Sequence, residues 1–187
     1  QLRISETQKY RHVTSFFNGK STTPYPGEDQ VEIKSRFDPA SFASHPEMEA
    51  YNVTDALLGR PKENPYAFIL VNYANGDMVG HTGDFEAACR AVEVVDECVG
   101  RVVERALELD AHVLLTADHG NSDQMLDPVT GQVKTSHSTN PVLCTWIARE
   151  AEGGRIAARG ILPDIGPTIL KLLNLPVPAE MTARPLL

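Results

Sequence analysis

Five residues in this sequence have the types and spacing to hold metal ions: Asp77, His81, Asp118, His119 and His137. Asp77 and His81 lie four positions apart in Asn75-Gly76-Asp77-Met78-Val79-Gly80-His81-Thr82-Gly83, so one helical turn would aim both at one point. Alone, that pair equally describes an N-cap carboxylate beside a surface imidazole. Its company decides the matter. Asp118-His119-Gly120-Asn121 ends a second apolar run, and His137 stands in the polar loop Thr135-Ser136-His137-Ser138-Thr139-Asn140-Pro141. Carboxylates and imidazoles without paired cysteines form a ligand set for Mn²⁺, Zn²⁺ or non-haem iron. Five such ligands exceed the needs of one ion and predict two, an arrangement suited to phosphoryl transfer.

Strands must deliver these loops. Ala67-Phe68-Ile69-Leu70-Val71, bounded by Pro65 and by Asn/Gly punctuation, predicts a buried strand over 67–73, and Val113-Leu114-Leu115-Thr116-Ala117 predicts another over 112–117. Between them, Phe85, Ala88, Val92, Val95, Val99, Val102, Ala106 and Leu109 recur in steps of three and four, which predicts a helix over 84–109. Asp84 is its natural N-cap, and Gly100 falls on its polar side. Strand, helix and strand in this order predict a βαβ crossover, hence a parallel sheet with both Asp/His loops at one edge. The fold class expected is α/β, a mostly parallel sheet flanked by helices.

Composition narrows the function classes. A chain of 187 residues with 42% hydrophobic content can bury a core, with one domain as the default. A net charge of −8, without a basic stripe, argues against a nucleic-acid partner, while bound cations could still attract an anionic small molecule. No apolar run reaches the length of about 18 residues that a membrane span requires, and no secretory leader pattern opens the chain. Three cysteines, Cys89, Cys98 and Cys144, fit a reducing, cytoplasmic setting. The start at Gln1 rather than Met fits a fragment or a processed piece.

Elsewhere, Ser5 caps an expected helical turn over 6–10, followed by an expected strand over 12–17 closed by Asn18-Gly19. Lys9 precedes that strand. Gln30 to Lys34 alternates as a half-exposed edge strand; a helix is expected over 47–58, stopped by Gly59 and Pro61. The polar segment 121–140 carries turn signals at Asp127-Pro128 and Thr130-Gly131, and its length marks it as functional or mobile. A strand over 142–148, a turn over 151–154 and a helix over 167–173 capped by Asp164 complete the expectations.

Taken together, these motifs resemble cofactor-independent (2,3-bisphosphoglycerate-independent) phosphoglycerate mutase, within the alkaline phosphatase superfamily. The residues that carry the resemblance are Ser5-Glu6-Thr7-Gln8-Lys9-Tyr10, Phe16-Phe17-Asn18-Gly19, the three metal loops, Asp164-Ile165-Gly166-Pro167-Thr168 and Pro178-Ala179-Glu180-Met181-Thr182. It implies that 1–187 is the C-terminal portion of the metal-binding phosphatase-like domain, lacking a segment that bears the nucleophilic serine and an inserted transferase domain. It implies Asp77, His81 and His137 as ligands of one Mn²⁺, Asp118 and His119 as ligands of a second, and Lys9 as a catalytic contact to the substrate phosphoryl group. The activity implied is interconversion of 2- and 3-phosphoglycerate through a phosphoserine, in a cytoplasmic monomer without nucleic-acid or membrane partners, the isolated chain being inactive. Ser136, Ser138 and Ala183 depart from the usual pattern without removing a ligand. A phosphohydrolase of the same superfamily and a non-catalytic fragment are the competing readings.

Overall fold

A parallel sheet carries the first half of the chain in the computed structural model, which describes residues 1–60, 66–151 and 154–187. Its strands are β1 (Leu2–Glu6), β2 (Asp29–Ile33) and β3 (Ile69–Asn72), in the order β2-β1-β3. The helices are α1 (Thr7–Arg11), α2 (Ala50–Leu58), α3 (Asn75–Gly80), α4 (Phe85–Glu108) and α5 (Ile165–Leu172). A separate antiparallel pair joins β4 (Val113–Thr116) to β5 (Cys144–Ile147). The described residues divide into two compact units, 1–102 with 119–140 and 103–118 with 141–187. No helix among them is long and apolar enough to cross a membrane.

The α/β class with a parallel sheet is as expected, but the strand partners differ. β3 pairs with β1 in parallel, Leu2 opposite Ile69 and Ser5 opposite Asn72, whereas β4 pairs antiparallel with β5. The expected neighbouring of β3 and β4 is not among these pairings. The partner of β3 is β1, a strand hidden in residues expected to cap a helix. Leu-Arg-Ile-Ser-Glu alternates as if half solvated, yet all five residues are buried. Leu2 and Ile4 pack with Val53 and Leu57 of α2. Its polar positions are only partly satisfied: Ser5 Oγ donates to the Asn72 carbonyl at 2.9 Å and Arg3 Nη2 to Gln1 Oε1 at 2.6 Å, the Arg3 guanidinium lies 4.1 Å and 4.9 Å from the Phe17 and Phe68 ring centres, and Arg3 Nε and Nη1 have no hydrogen-bond partner.

Residues His12–Phe16, expected as a strand, instead continue α1 as a π-helix. Thr14 turns its hydroxyl onto the Tyr10 carbonyl at 2.7 Å, a bond that lets a β-branched residue sit in a widened helical turn. The edge strand expected over 30–34 is β2, paired on one side with β1. Helix α4 begins where expected, with Ala87 N donating to Asp84 Oδ1 at 2.9 Å. Its buried face is Ala87, Ala88, Ala91, Val94 and Cys98, one position away from the predicted Val92-Val95-Val99 stripe; Val92 is 53% exposed and Phe85 64%. Small alanines allow the closer approach to Phe42, Met48, Ala74 and Val79, so close packing overrides side-chain bulk. At α5 the Asp164 carboxylate does not cap the helix but accepts from Ile161 N and Arg184 N. The expected helix stop at Pro61, the strand boundary at Pro65, and residues 152 and 153 of the turn over 151–154 lie outside the described residues.

One core group makes stability depend on pH. Glu6 is 1% exposed; its Oε2 accepts from Glu49 N at 2.8 Å and its Oε1 has no partner. Burial pushes its carboxyl up from 4.5 to about 7; the Glu49 amide opposes this and the Glu49 charge adds to it. A raised folded pKa means stability that is fully present below about 4.5 and lost as pH rises through about 7. Glu6→Gln should therefore flatten that loss and leave the protein about 2–3 kcal/mol more stable than wild type at pH 8, with little difference at pH 4. Urea denaturation at both pH values measures it; an equal change at both would contradict it.

Candidate metal centre

Helix α3 positions the first two candidate ligands, Asp77 and His81. It starts two residues after β3 and is pinned by buried Asn75, whose Nδ2 donates to the Pro46 and Glu47 carbonyls at 2.8 and 2.9 Å. Ser122 Oγ donates to the Gly76 carbonyl. His81 N donates to the Asp77 carbonyl at 3.0 Å, the helical closure expected from the four-residue spacing. The side chains meet accordingly, Asp77 Oδ1 lying 3.0 Å from His81 Nε2.

The polar segment 121–140 brings the third. It is held as a pinched hairpin, with Gly120 bridged to Ser138 and Leu126 to Val133. Its turn is tied by Asp127 Oδ1, which accepts from Val129 N and Thr130 N at 2.9 and 2.7 Å. His137 Nε2 then stands 3.1 Å from Asp77 Oδ1 and 3.2 Å from His81 Nε2. Three donor atoms from two distant segments thus form a nearly equilateral triangle. Adjacent ligands of an ion with bonds of about 2.1 Å are about 3.0 Å apart in an octahedron and about 3.4 Å apart in a tetrahedron. The triangle has the size of one face of such a shell.

The surroundings suit a cation. His81 Nδ1 is 2.6 Å from the Thr135 carbonyl, an obligate acceptor, so neutral His81 carries its proton there and presents a lone pair at Nε2. Asn121 Nδ2 donates to Asp77 Oδ1 at 2.8 Å and to the Asp77 carbonyl at 3.2 Å. Lys9 Nζ, buried on α1, lies 2.5 Å from Asp77 Oδ2. Burial pushes the Asp77 carboxyl up, but Lys9, Asn121 and His81 outweigh it and hold the pKa at about 2. Asp77 is therefore an anion at any physiological pH. Two imidazoles and a carboxylate converging at 3 Å leave lone pairs facing one another, which is unfavourable until a cation or proton lies among them.

Of the predicted site residues, Asp77, His81 and His137 form this group, Lys9 pairs with it, and His119 stacks on His137 with ring centres 3.7 Å apart. Asp118 belongs to the second unit and is not a member of the group. The sequence reading missed Asn121 and Asp123. Asp123 accepts from Ser138 Oγ at 3.0 and 2.9 Å and from Asn140 Nδ2 at 2.6 Å. Asn121 closes the Asp118-His119-Gly120-Asn121 motif, and the only signal for Asp123 was its place among the short polar residues that follow.

Residues 1–177 match the family model described as the Metalloenzyme superfamily. The chain is similar over its whole length to proteins described as 2,3-bisphosphoglycerate-independent phosphoglycerate mutase, 51% identical to that of Clostridium botulinum and 49% to that of Psychromonas ingrahamii. It spans 36% of the length of each of these relatives. Among solved structures it resembles Leishmania mexicana phosphoglycerate mutase determined at low cobalt concentration, with a TM-score of 0.84 and 32% identity over 98% of this chain and 36% of that one.

Proposed function

Because the chain belongs to the Metalloenzyme superfamily, we propose that it provides most of the metal ligands of an enzyme interconverting 2- and 3-phosphoglycerate, an intramolecular phosphotransfer. The observation that carries this reading is the triangle of Asp77 Oδ1, His81 Nε2 and His137 Nε2, with sides of 3.0, 3.1 and 3.2 Å. The similarity of the whole chain to named mutases supports the choice of substrate.

In this reading Asp77, His81 and His137 hold one Mn²⁺, and Asp118 and His119 contribute to a second. The nitrogen and oxygen donors, with no thiolate among them, suit Mn²⁺ as they suit Zn²⁺ or iron, and the choice of Mn²⁺ follows the resemblance to the mutases. Bound there, the ions would draw charge from the phosphoryl oxygens and lower the pKa of an attacking hydroxyl. The chain's own residues do the rest. Asp77 stays ionised and takes the Lys9 ammonium on its other oxygen, which leaves a fixed positive group beside the site for a phosphoryl oxygen. Thr135 keeps the His81 ring oriented. The phosphoryl group would pass from glycerate to a serine outside residues 1–187, and return to the other glycerate hydroxyl. The same reading makes the protein a cytoplasmic monomer of glycolysis and gluconeogenesis without nucleic-acid or membrane partners; the net charge of −8 supports the lack of a nucleic-acid partner, and the three free cysteines support the compartment.

The test is conversion of 3-phosphoglycerate, coupled through enolase, by the protein of which these residues are part, with and without Mn²⁺. Mn²⁺-dependent conversion is expected. Hydrolysis of simple phosphate monoesters without conversion would make water the acceptor and the protein a phosphohydrolase instead.

A further inference from the structure

We propose that Asp123 is a positioning residue for the metal centre, its carboxylate clamping Ser138 and Asn140, which follow His137 in the chain, so that the imidazole meets Asp77 and His81. The inference rests on the metal-site reading above and adds to it a role for a residue that touches none of the three ligands. Ser138 follows His137 directly, is 6% exposed, and gives its hydroxyl to both Asp123 oxygens at 3.0 and 2.9 Å. Asn140 adds its amide at 2.6 Å. The backbone closes the same joint, Ser138 N donating to the Gly120 carbonyl at 2.8 Å. Gly120 leaves space for this contact, since a methyl group there would collide with Ser138 Oγ and the Asp123 carboxylate.

The segment after β4 works as a yoke between ligands that are far apart in sequence. Asn121 holds Asp77 at one end, through the bonds to its carboxylate and carbonyl, while Asp123, two residues on, holds the His137 loop at the other. His137 has no helix under it: its neighbours Ser136 and Thr139 are exposed loop residues. Without the Asp123 clamp the loop retains the Ser138 backbone bond and the stacking of His119 on His137, and loses every side-chain bond that Ser138 and Asn140 make to Asp123. Outer partners of this kind, when removed, lower metal affinity by about 10–100-fold.

A purely structural aspartate and a positioning one separate in a double-mutant cycle. Mn²⁺ binding is measured by calorimetry in the full chain for wild type, Asp123→Ala, His137→Ala and the double variant. Asp123→Ala is expected to weaken binding by about 10–100-fold, and the double variant to bind no more weakly than His137→Ala alone. The visible absorption of Co²⁺-loaded Asp123→Ala is expected to shift towards that of His137→Ala, a change in coordination that loss of stability alone does not produce. Ser138→Ala breaks the clamp from the other side and carries the test if Asp123→Ala does not fold; it should weaken binding in the same direction. Wild-type affinity in a folded Asp123→Ala or Ser138→Ala variant overturns the proposal, as do losses that multiply in the double variant. Wild-type affinity in His137→Ala overturns the metal-site reading beneath it.

Discussion

Asp77→Ala is expected to lower Mn²⁺ affinity at least a hundredfold and to bring phosphoglycerate conversion to background. Asp77 Oδ1 is the corner shared by both close contacts, 3.0 Å to His81 and 3.1 Å to His137, and it is the only anion of the triad. Its removal acts twice. The ligand set loses its charge, and buried Lys9 loses the carboxylate 2.5 Å away that compensates its ammonium. Asp77→Asn keeps the shape but not the charge, and its single amide oxygen serves either Lys9 or the ion but not both; affinity should still fall by more than tenfold. The pH profile has a definite sign. Asp77 has a folded pKa of about 2 against 3.8, so its contribution is complete above about pH 4 and is lost only as pH falls towards 2. Any loss of Mn²⁺ between pH 7 and 5 must then come from groups other than Asp77. Calorimetric titrations at pH 7.5 and 5.5 in wild type and Asp77→Asn would show it; a binding step that tracks Asp77 in that range would contradict the account.

Residues 1–187 expressed alone are expected to show no phosphoglycerate conversion even when saturated with Mn²⁺. The relatives are nearly three times as long, the chain spanning 36% of them. In-line transfer requires a hydroxyl held against the phosphorus and a surface that grips and turns the glycerate. The triad and Lys9 provide neither. Of the hydroxyls close in sequence to the metal loops, Ser122 and Thr82 are already committed, Ser122 to the Gly76 carbonyl and Thr82 to the Val79 carbonyl at 2.6 Å. Clear turnover in the coupled assay would show that the chain carries its own nucleophile, and Ser122, Thr82 and Ser136 would be the residues to replace first.

The triad was legible because its geometry is local or is set by a motif. A four-residue spacing after a strand end becomes a helical turn whatever the sheet beyond it does, so Asp77 and His81 could be placed from the sequence. His137 was legible only as a ligand type, since nothing in its spacing says that Asp123 and Gly120 draw its loop back. The strand order was not legible. β1 has the alternation of a half-exposed strand but is buried on both faces, with Asn72 and the Phe17 and Phe68 rings, all distant in sequence, set against Ser5 and Arg3. In α4, apolar residues occupy two adjoining stripes, and periodicity does not distinguish the alanine stripe that packs from the valine stripe beside it. The π-helix shows the same limit, since β-branched and aromatic residues favour a strand until α1 leads them onward as a helix.

Crystals of the protein grown with Mn²⁺ and measured on both sides of the manganese absorption edge test the central claim most directly. The account predicts an anomalous peak about 2.0–2.3 Å from each of Asp77 Oδ1, His81 Nε2 and His137 Nε2. A fully occupied manganese peak elsewhere, with none of these three atoms in its shell, would contradict it.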